Sequence, residues 1–195
     1  MKAELLIDAS GPDIRRRTSL HVPDAFFYIR DEKGVDTVFF DAREYEIQKI
    51  YLDKAGNGVQ IERWEPYIAA ATNRTGPGSV LEKSLLEILD QKGITHVSVS
   101  PDLSYSWVKV LESGGKTIDI YDFASERSIK TESEFAHMKE AQAVTDAAFA
   151  YAKDILSEST IEPDGLVWNG APLTSEILKF EMESFYLKNN YNCPV

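Results

Sequence analysis

Three histidines, one cysteine and a few close-set carboxylates are the side chains that could carry chemistry in this sequence. Metal centres draw on His or Cys pairs a few residues apart, so that two ligands share one helix face or one turn. His21, His96 and His137 lie far from one another and have neither a neighbouring His nor a Cys partner. His96 alternates with Thr95 and Val97 in a strand pattern, as a structural or partly exposed histidine does. His137 sits among Glu134, Lys139 and Glu140 on a charged, wet helix face. Asp41, Glu44 and Glu46 in "FFDAREYE" are the tight acidic group that follows a strand end, where sites of α/β folds often lie. Helix capping by Asp41 and favourable acidic charge at a helix N-terminus explain them without any catalysis. The "GPG" at Gly76 to Gly78 lacks the lysine and the full glycine spacing of a phosphate loop and serves as a helix lead-in. Arg15, Arg16 and Arg17 form a short, isolated basic run, expected at a solvated or locally paired strand end. Cys193 is expected to be an ordinary residue, so no Ser-His-Asp or Cys-His arrangement is available. No catalytic, cofactor-binding or metal-binding residue is expected in the chain, and residue chemistry alone describes a binding or assembly domain.

The elements around these residues must fit in 195 residues, enough for one packed domain or a domain plus a fragment of another, with 43% hydrophobic residues for a core. A single cysteine excludes an internal disulfide. No apolar run approaches the length that spans a bilayer, and "MKAELLIDAS" has no signal core, so a cytoplasmic setting without a membrane partner is expected. The sequon "NRT" at Asn73 to Thr75 would matter only in a secreted protein. Lys and Arg number 21 against 32 Asp and Glu, a net charge of -11, which opposes contact with phosphate backbones.

Residues 3 to 9, "AELLIDA", favour a strand, and "DAFFYIR", "DEKG" and "VDTVFFD" form a hairpin signal, which puts three strands first. "AREYEIQKIYL" spaces Tyr45, Ile47, Ile50, Tyr51 and Leu52 as a helix, and "VQIERW" is a strand. Ser79 and Glu82 make a capping box for a helix that places Val80, Leu81, Leu85, Ile88 and Leu89 on its inner side and ends at Gly93. Strand "ITHVSVS", helix "LSYSWVKVLES" and strand "KTIDIYDF" complete an α/β layer structure with a mixed sheet flanked by helices, over residues 1–125. Residues 126–195 contribute two long helices. One starts at a second capping box, Thr131 and Glu134, and carries Phe135, Met138, Ala148, Phe149, Ala152, Ile155 and Leu156 on one face. A loop with Pro163, Gly165, Gly170 and Pro172 leads to the other, about Thr174 to Asn189, with Ile177, Leu178, Met182, Phe185 and Tyr186 as its inner side.

The linear pattern of these segments resembles the aminopeptidase P, prolidase and creatinase family. "DIRRRTSLHVPDAFFYIRDEKGVDTVFFDAREYE" is similar to the family's N-terminal domain, with its "pD.F" and "d.rE" elements. "ERSIKTESEFAHMKEAQAVTDAAFAYA" resembles the linker and first catalytic-domain helix, of the form "R..K...Ei..m..A...td.a", and "LTSEILKFEMESFYLKNN" resembles the second helix. The front departs from the pattern: the usual helix before "AELLIDA" is missing, and "RRRTSL" stands where "iyYltG" is more common.

The resemblance implies a creatinase/prolidase-type N-terminal domain with a ribonuclease H-like motif, followed by the lead-in helices of a pita-bread domain. In the family that larger domain is implied to hydrolyse the bond before proline in peptides, using two divalent metal ions, manganese, cobalt or zinc, held by two aspartates, a histidine and two glutamates. Those ligands belong to sequence beyond the second helix, so none falls on this chain. The expected role is that of the non-catalytic N-terminal portion of such an enzyme, supporting oligomerisation, with a homodimer expected, and shaping active-site access. The alternative is a stand-alone assembly or ligand-binding protein derived from that domain. The charge balance yields a first prediction: near neutral pH the protein shows no salt-sensitive binding to duplex or single-stranded DNA in a mobility-shift titration, and submicromolar binding that weakens as salt rises contradicts it.

Overall fold

The run Lys2–Asp8 sends apolar side chains to both sides and forms β1, which lies inside the sheet of the first half of the chain. The computed structural model describes residues 1–9 and 11–192, and Cys193 lies outside them. The chain forms two compact units, Met1–Ile129 and Lys130–Val195. In the first, β1 joins β2 (Phe26–Asp31), β3 (Asp36–Phe40), β4 (Gln60–Arg63), β5 (His96–Val99) and β6 (Thr117–Ile120) in a six-stranded sheet of order β4-β3-β2-β1-β5-β6. The pairs β1 with β2 and β2 with β3 are antiparallel; β3 with β4, β1 with β5, and β5 with β6 are parallel. The expected mixed sheet flanked by helices is the fold observed.

Successive strand residues point to opposite faces, so a strand buried on both sides must be apolar throughout. Leu5, Phe27, Ile29, Phe39, Val97 and Val99 enter one core with Leu85, Leu86, Ile88, Leu89, Val110 and Leu111. Those helix residues come from α4 (Val80–Gln91) and α5 (Tyr105–Ser113), and α3 (Glu65–Ala71) adds Tyr67 and Ile68. The alternate residues Leu6, Phe26, Tyr28, Val38 and Phe40 enter a second core with Ile14, Leu52 and Phe123. These last come from α1 (Pro12–Thr18), α2 (Ala42–Ala55) and α6 (Phe123–Ser128). Phe27 meets Trp64 at 4.5 Å between ring centroids, and the Trp64 indole N–H donates to the Ser84 hydroxyl at 2.7 Å, which satisfies two buried polar groups at once. The buried Lys116 ammonium donates to the Ile94 carbonyl and pairs with Asp90. Both capping boxes form as the sequence indicates, Ser79 with Glu82 and Thr131 with Glu134. Gly93 closes α4 at φ 66°, a left-handed turn that a β-carbon would strain.

Several expectations need correction. The arginine triplet lies in the last turn of α1, a helix between the first two strands, and not at a strand end. Pro12 starts this helix, and its buried residues are only Ile14 and Thr18, too few to register as a period. The short α3 and α6 were also hidden, and Ser125 lies inside α6. On α2 the inner residues are Gln48 and Leu52, whereas Ile47, Ile50 and Tyr51 are exposed. On α4, Val80 and Leu81 are exposed and Ser84 and Leu86 take the inner side.

The second unit contains α7 (Glu132–Glu158), a three-stranded antiparallel sheet of β7 (Thr160–Glu162), β8 (Gly165–Trp168) and β9 (Ala171–Pro172), and α8 (Ser175–Lys188). The sheet stands where a loop was expected. Asn169 and Gly170, both at positive φ, form a two-residue turn between the paired Trp168 and Ala171, the Asn-Gly geometry that suits the strand twist. Thr174 caps α8, but none of its residues is fully buried.

Core position and helix-surface position should separate cleanly in mutants. Phe39→Ala, at a side chain with no exposure, is expected to cost about 3 to 5 kcal/mol by urea unfolding. Ile50→Ala, at 56% exposure, is expected to stay within about 0.5 kcal/mol despite its helical spacing.

Candidate functional site

The residues with chemical potential are dispersed. His21 lies exposed in the loop after α1, and His137 is exposed on α7. His96, on β5, places Nε2 2.8 Å from Asp119, which also accepts from Lys2 Nζ at 2.9 Å. Those bonds, Lys2 first and then His96, hold the Asp119 carboxyl below its ordinary range. Asp41 caps α2, accepting from the amides of Arg43 at 3.0 Å and Glu44 at 3.2 Å, and its other oxygen takes the Arg43 guanidinium at 2.6 Å. The Arg43 contact is the main reason its pKa is depressed. Glu44 accepts from Gln48 at 2.8 Å, and Glu46 pairs with Arg63 at 2.7 Å. The three carboxylates therefore point to three separate partners. Among the described residues no three His, Cys, Asp or Glu side chains gather in a group that could hold a metal ion. The two metal ions implied by the resemblance do not fit the residues described. Gly78 serves packing, since a β-carbon there would stand 2.6 Å from Val110.

Among the described residues the concavities include a crevice, a cleft and a groove. A crevice of about 320 Å³ lies at the C-terminal ends of the parallel strands β1 and β5, from which α1 and α5 depart to opposite faces. It carries Asp8, Asp102 and Ser100, with Asp13 already paired to Arg127 at 2.5 Å. A cleft of about 590 Å³ opens on the sheet face of the second core, beside Glu4, Arg30, Ser98 and Tyr121. In the second unit a groove of about 380 Å³ is lined by Phe149 of α7 and by Leu178, Met182 and Tyr186 of α8.

Other large apolar side chains of the same two helices are exposed as well. α7 packs on α8 and β8, and Ala148, Ala152 and Ile155 are its buried residues. Tyr151 stacks on Phe185 with centroids 5.4 Å apart and donates to Glu181 at 3.0 Å, a bond that raises the phenol's pKa. Phe135, Met138, Phe149 and Leu156 on α7, with Ile177, Phe180 and Leu187 on α8, stay exposed. Sequence periodicity identified most of these residues as one side of a helix without showing whether anything covers them. The cleft gave no sequence signal, because its lining comes from four separate stretches of chain.

No protein-family profile and no curated protein matches the sequence. Among solved structures, an Xaa-Pro dipeptidase from Bacillus anthracis superposes with a TM-score of 0.63 at 19% identity, over 96% of this chain and 44% of that one. A prolidase from Pyrococcus furiosus gives 0.61 at 16% identity, over 96% and 45%. The chain thus spans under half the length of either. At such identities the likeness establishes fold: over nearly its whole length this chain shares the architecture of part of those two structures, a mixed sheet flanked by helices and followed by a long helix.

Proposed function

We propose that the chain serves as the non-catalytic N-terminal portion of an X-Pro metallopeptidase, supporting oligomerisation and shaping access to an active site built by other sequence. The observation that carries this reading is the fold match over 96% of this chain to two enzymes of more than twice its matched length. The exposed apolar residues of α7 and α8 support it, since a helix face of this kind requires a covering layer. In this reading proline-containing peptides and divalent metal ions belong to the remainder of the enzyme, and the setting is cytoplasmic. No helix among the described residues is long and apolar enough to cross a membrane. The alternative, a stand-alone assembly or ligand-binding protein derived from the same domain, is favoured by the two cores of the first unit, which are closed by elements of that unit.

Two outcomes follow. The purified chain has no X-Pro peptidase activity with added manganese, cobalt or zinc, and turnover that tracks this protein through successive purification steps contradicts the reading. The chain also self-associates as a symmetric homodimer through the α7/α8 surface, because full burial of each large apolar side chain there contributes about 1.5 to 3 kcal/mol against the cost of association. Sedimentation equilibrium is expected to show a mass above 21.9 kDa that falls to the monomer in a Phe149→Ser, Phe180→Ser double variant. A 21.9 kDa species at every concentration refutes the homodimer.

A further inference from the structure

The chain contains two Asn-Gly pairs, Asn57-Gly58 and Asn169-Gly170. At such a pair the glycine nitrogen is not shielded by a side chain of its own residue, so it can close a five-membered ring on the preceding side-chain amide. The sequence presents the two pairs alike, and the structure separates them.

Asn57 is held at both ends of its side-chain amide. Its Nδ2 donates to the Thr18 carbonyl at 3.0 Å, and its Oδ1 accepts from the Val59 amide at 3.3 Å. It directly follows Gly56, whose own amide closes the last turn of α2 on the Leu52 carbonyl at 3.0 Å. Turning the Asn57 amide toward the Gly58 nitrogen breaks both side-chain hydrogen bonds.

Asn169 has no such restraint. It is exposed, and its side-chain amide makes no hydrogen bond among the described residues. With Gly170 it forms the whole turn between Trp168 and Ala171, at φ 52° and 78°. Ring closure needs this turn to open, and little holds it shut. β9 is two exposed residues long, and the second, Pro172, has no N–H to give to β8. Opening so short a strand is a local event that leaves the rest of the chain folded.

We propose that Asn169 is a site of spontaneous deamidation and that its isoaspartate product loosens the start of α8. The Gly170 nitrogen bonds to Asn169 Cγ, the Cγ–Nδ2 bond breaks, and the Gly170 amide proton leaves with Nδ2 as ammonia. Water then adds to either carbonyl of the succinimide, and the ring opens to aspartate or to isoaspartate. The second product routes the main chain through the former side chain and lengthens it by one carbon. A two-residue turn sets the register of its strands, so the longer backbone cannot keep Trp168 opposite Ala171. The disturbance passes to Leu173, whose amide donates to Leu166 at 2.7 Å, and to Thr174, whose hydroxyl caps α8 at the Ile177 amide at 3.3 Å. α8 carries the exposed Ile177 and Phe180, so the modification acts on that apolar surface through its lead-in turn. The inference is independent of the peptidase reading, since every group in it belongs to the second unit.

The test is peptide mapping by mass spectrometry of the full chain during storage in mildly alkaline buffer, with and without urea. In the folded protein Asn169 is expected to convert about tenfold faster than Asn57, a ratio that the hydrogen bonds of Asn57 supply. In urea the two rates are expected to converge. Hydrogen exchange then follows the product: amides between Ala171 and Ile177 are expected to exchange faster in isoaspartate-containing protein than in fresh protein. Asn169→Asp, which adds the charge without lengthening the chain, is expected to exchange as fresh protein does. Asn57 converting as fast as Asn169 in the folded chain, or a ratio that persists in urea, overturns the proposal. So does unchanged exchange in the isoaspartate form, or equal loosening in Asn169→Asp.

Discussion

The first unit depends on one constraint: β1 is hydrogen-bonded on both edges and apolar on both faces through its second half. Antiparallel β2 and parallel β5 occupy its edges, so its backbone is satisfied, and Leu5 and Leu6 anchor opposite cores. A strand in that position demands helices on both sides of the sheet. The connections comply, with α3, α4 and α5 on one face and α1, α2 and α6 on the other. Where the apolar alternation lapses, at Glu4 and its neighbours Arg30 and Ser98, the sheet remains open and the cleft forms. Core and cleft are thus two ends of the same strands.

The second unit follows a different rule. Its long helix owes its start to the Thr131 and Glu134 capping box, yet only Ala148, Ala152 and Ile155 are buried along it. Small residues there allow close approach of a neighbouring element, while Phe135, Met138 and Phe149 stand in water. Such a helix pair has more apolar surface than it can cover, which ties its stability to whatever packs on it, whether further sequence or a second copy. The fold shared with the two dipeptidases gives this imbalance a physical context, since each of those chains is more than twice as long as the portion matched.

Much of this was legible in the sequence because it rests on local rules. Capping boxes, the hairpin around "DEKG", the α/β alternation and the family-like helix pattern each need only a few adjacent residues. The short helices α1, α3 and α6 escaped because six or seven residues cannot display a period and because α1 announces itself only through Pro12. The Asn169-Gly170 turn was a usable hairpin signal that the surrounding glycines and prolines masked as a loop. Exposure of Ile47, Ile50 and Tyr51 shows that helical spacing names a side of a helix without saying which side faces inward; Gln48 faces inward by donating its amide to Glu44. The cleft could not be read at all, because Arg30, Glu4 and Ser98 become neighbours only through the strand register.

The central claim is that the first unit is complete by its own packing while the helices of the second carry a surface that needs covering. Amide hydrogen exchange at low protein concentration, followed residue by residue, tests it most directly. The account predicts that amides of β1, β2 and β5 exchange only through global unfolding, while those of α7 and α8 exchange far faster through local opening. Protection in α7 and α8 equal to that of β1, in a sample shown to be monomeric, would contradict it.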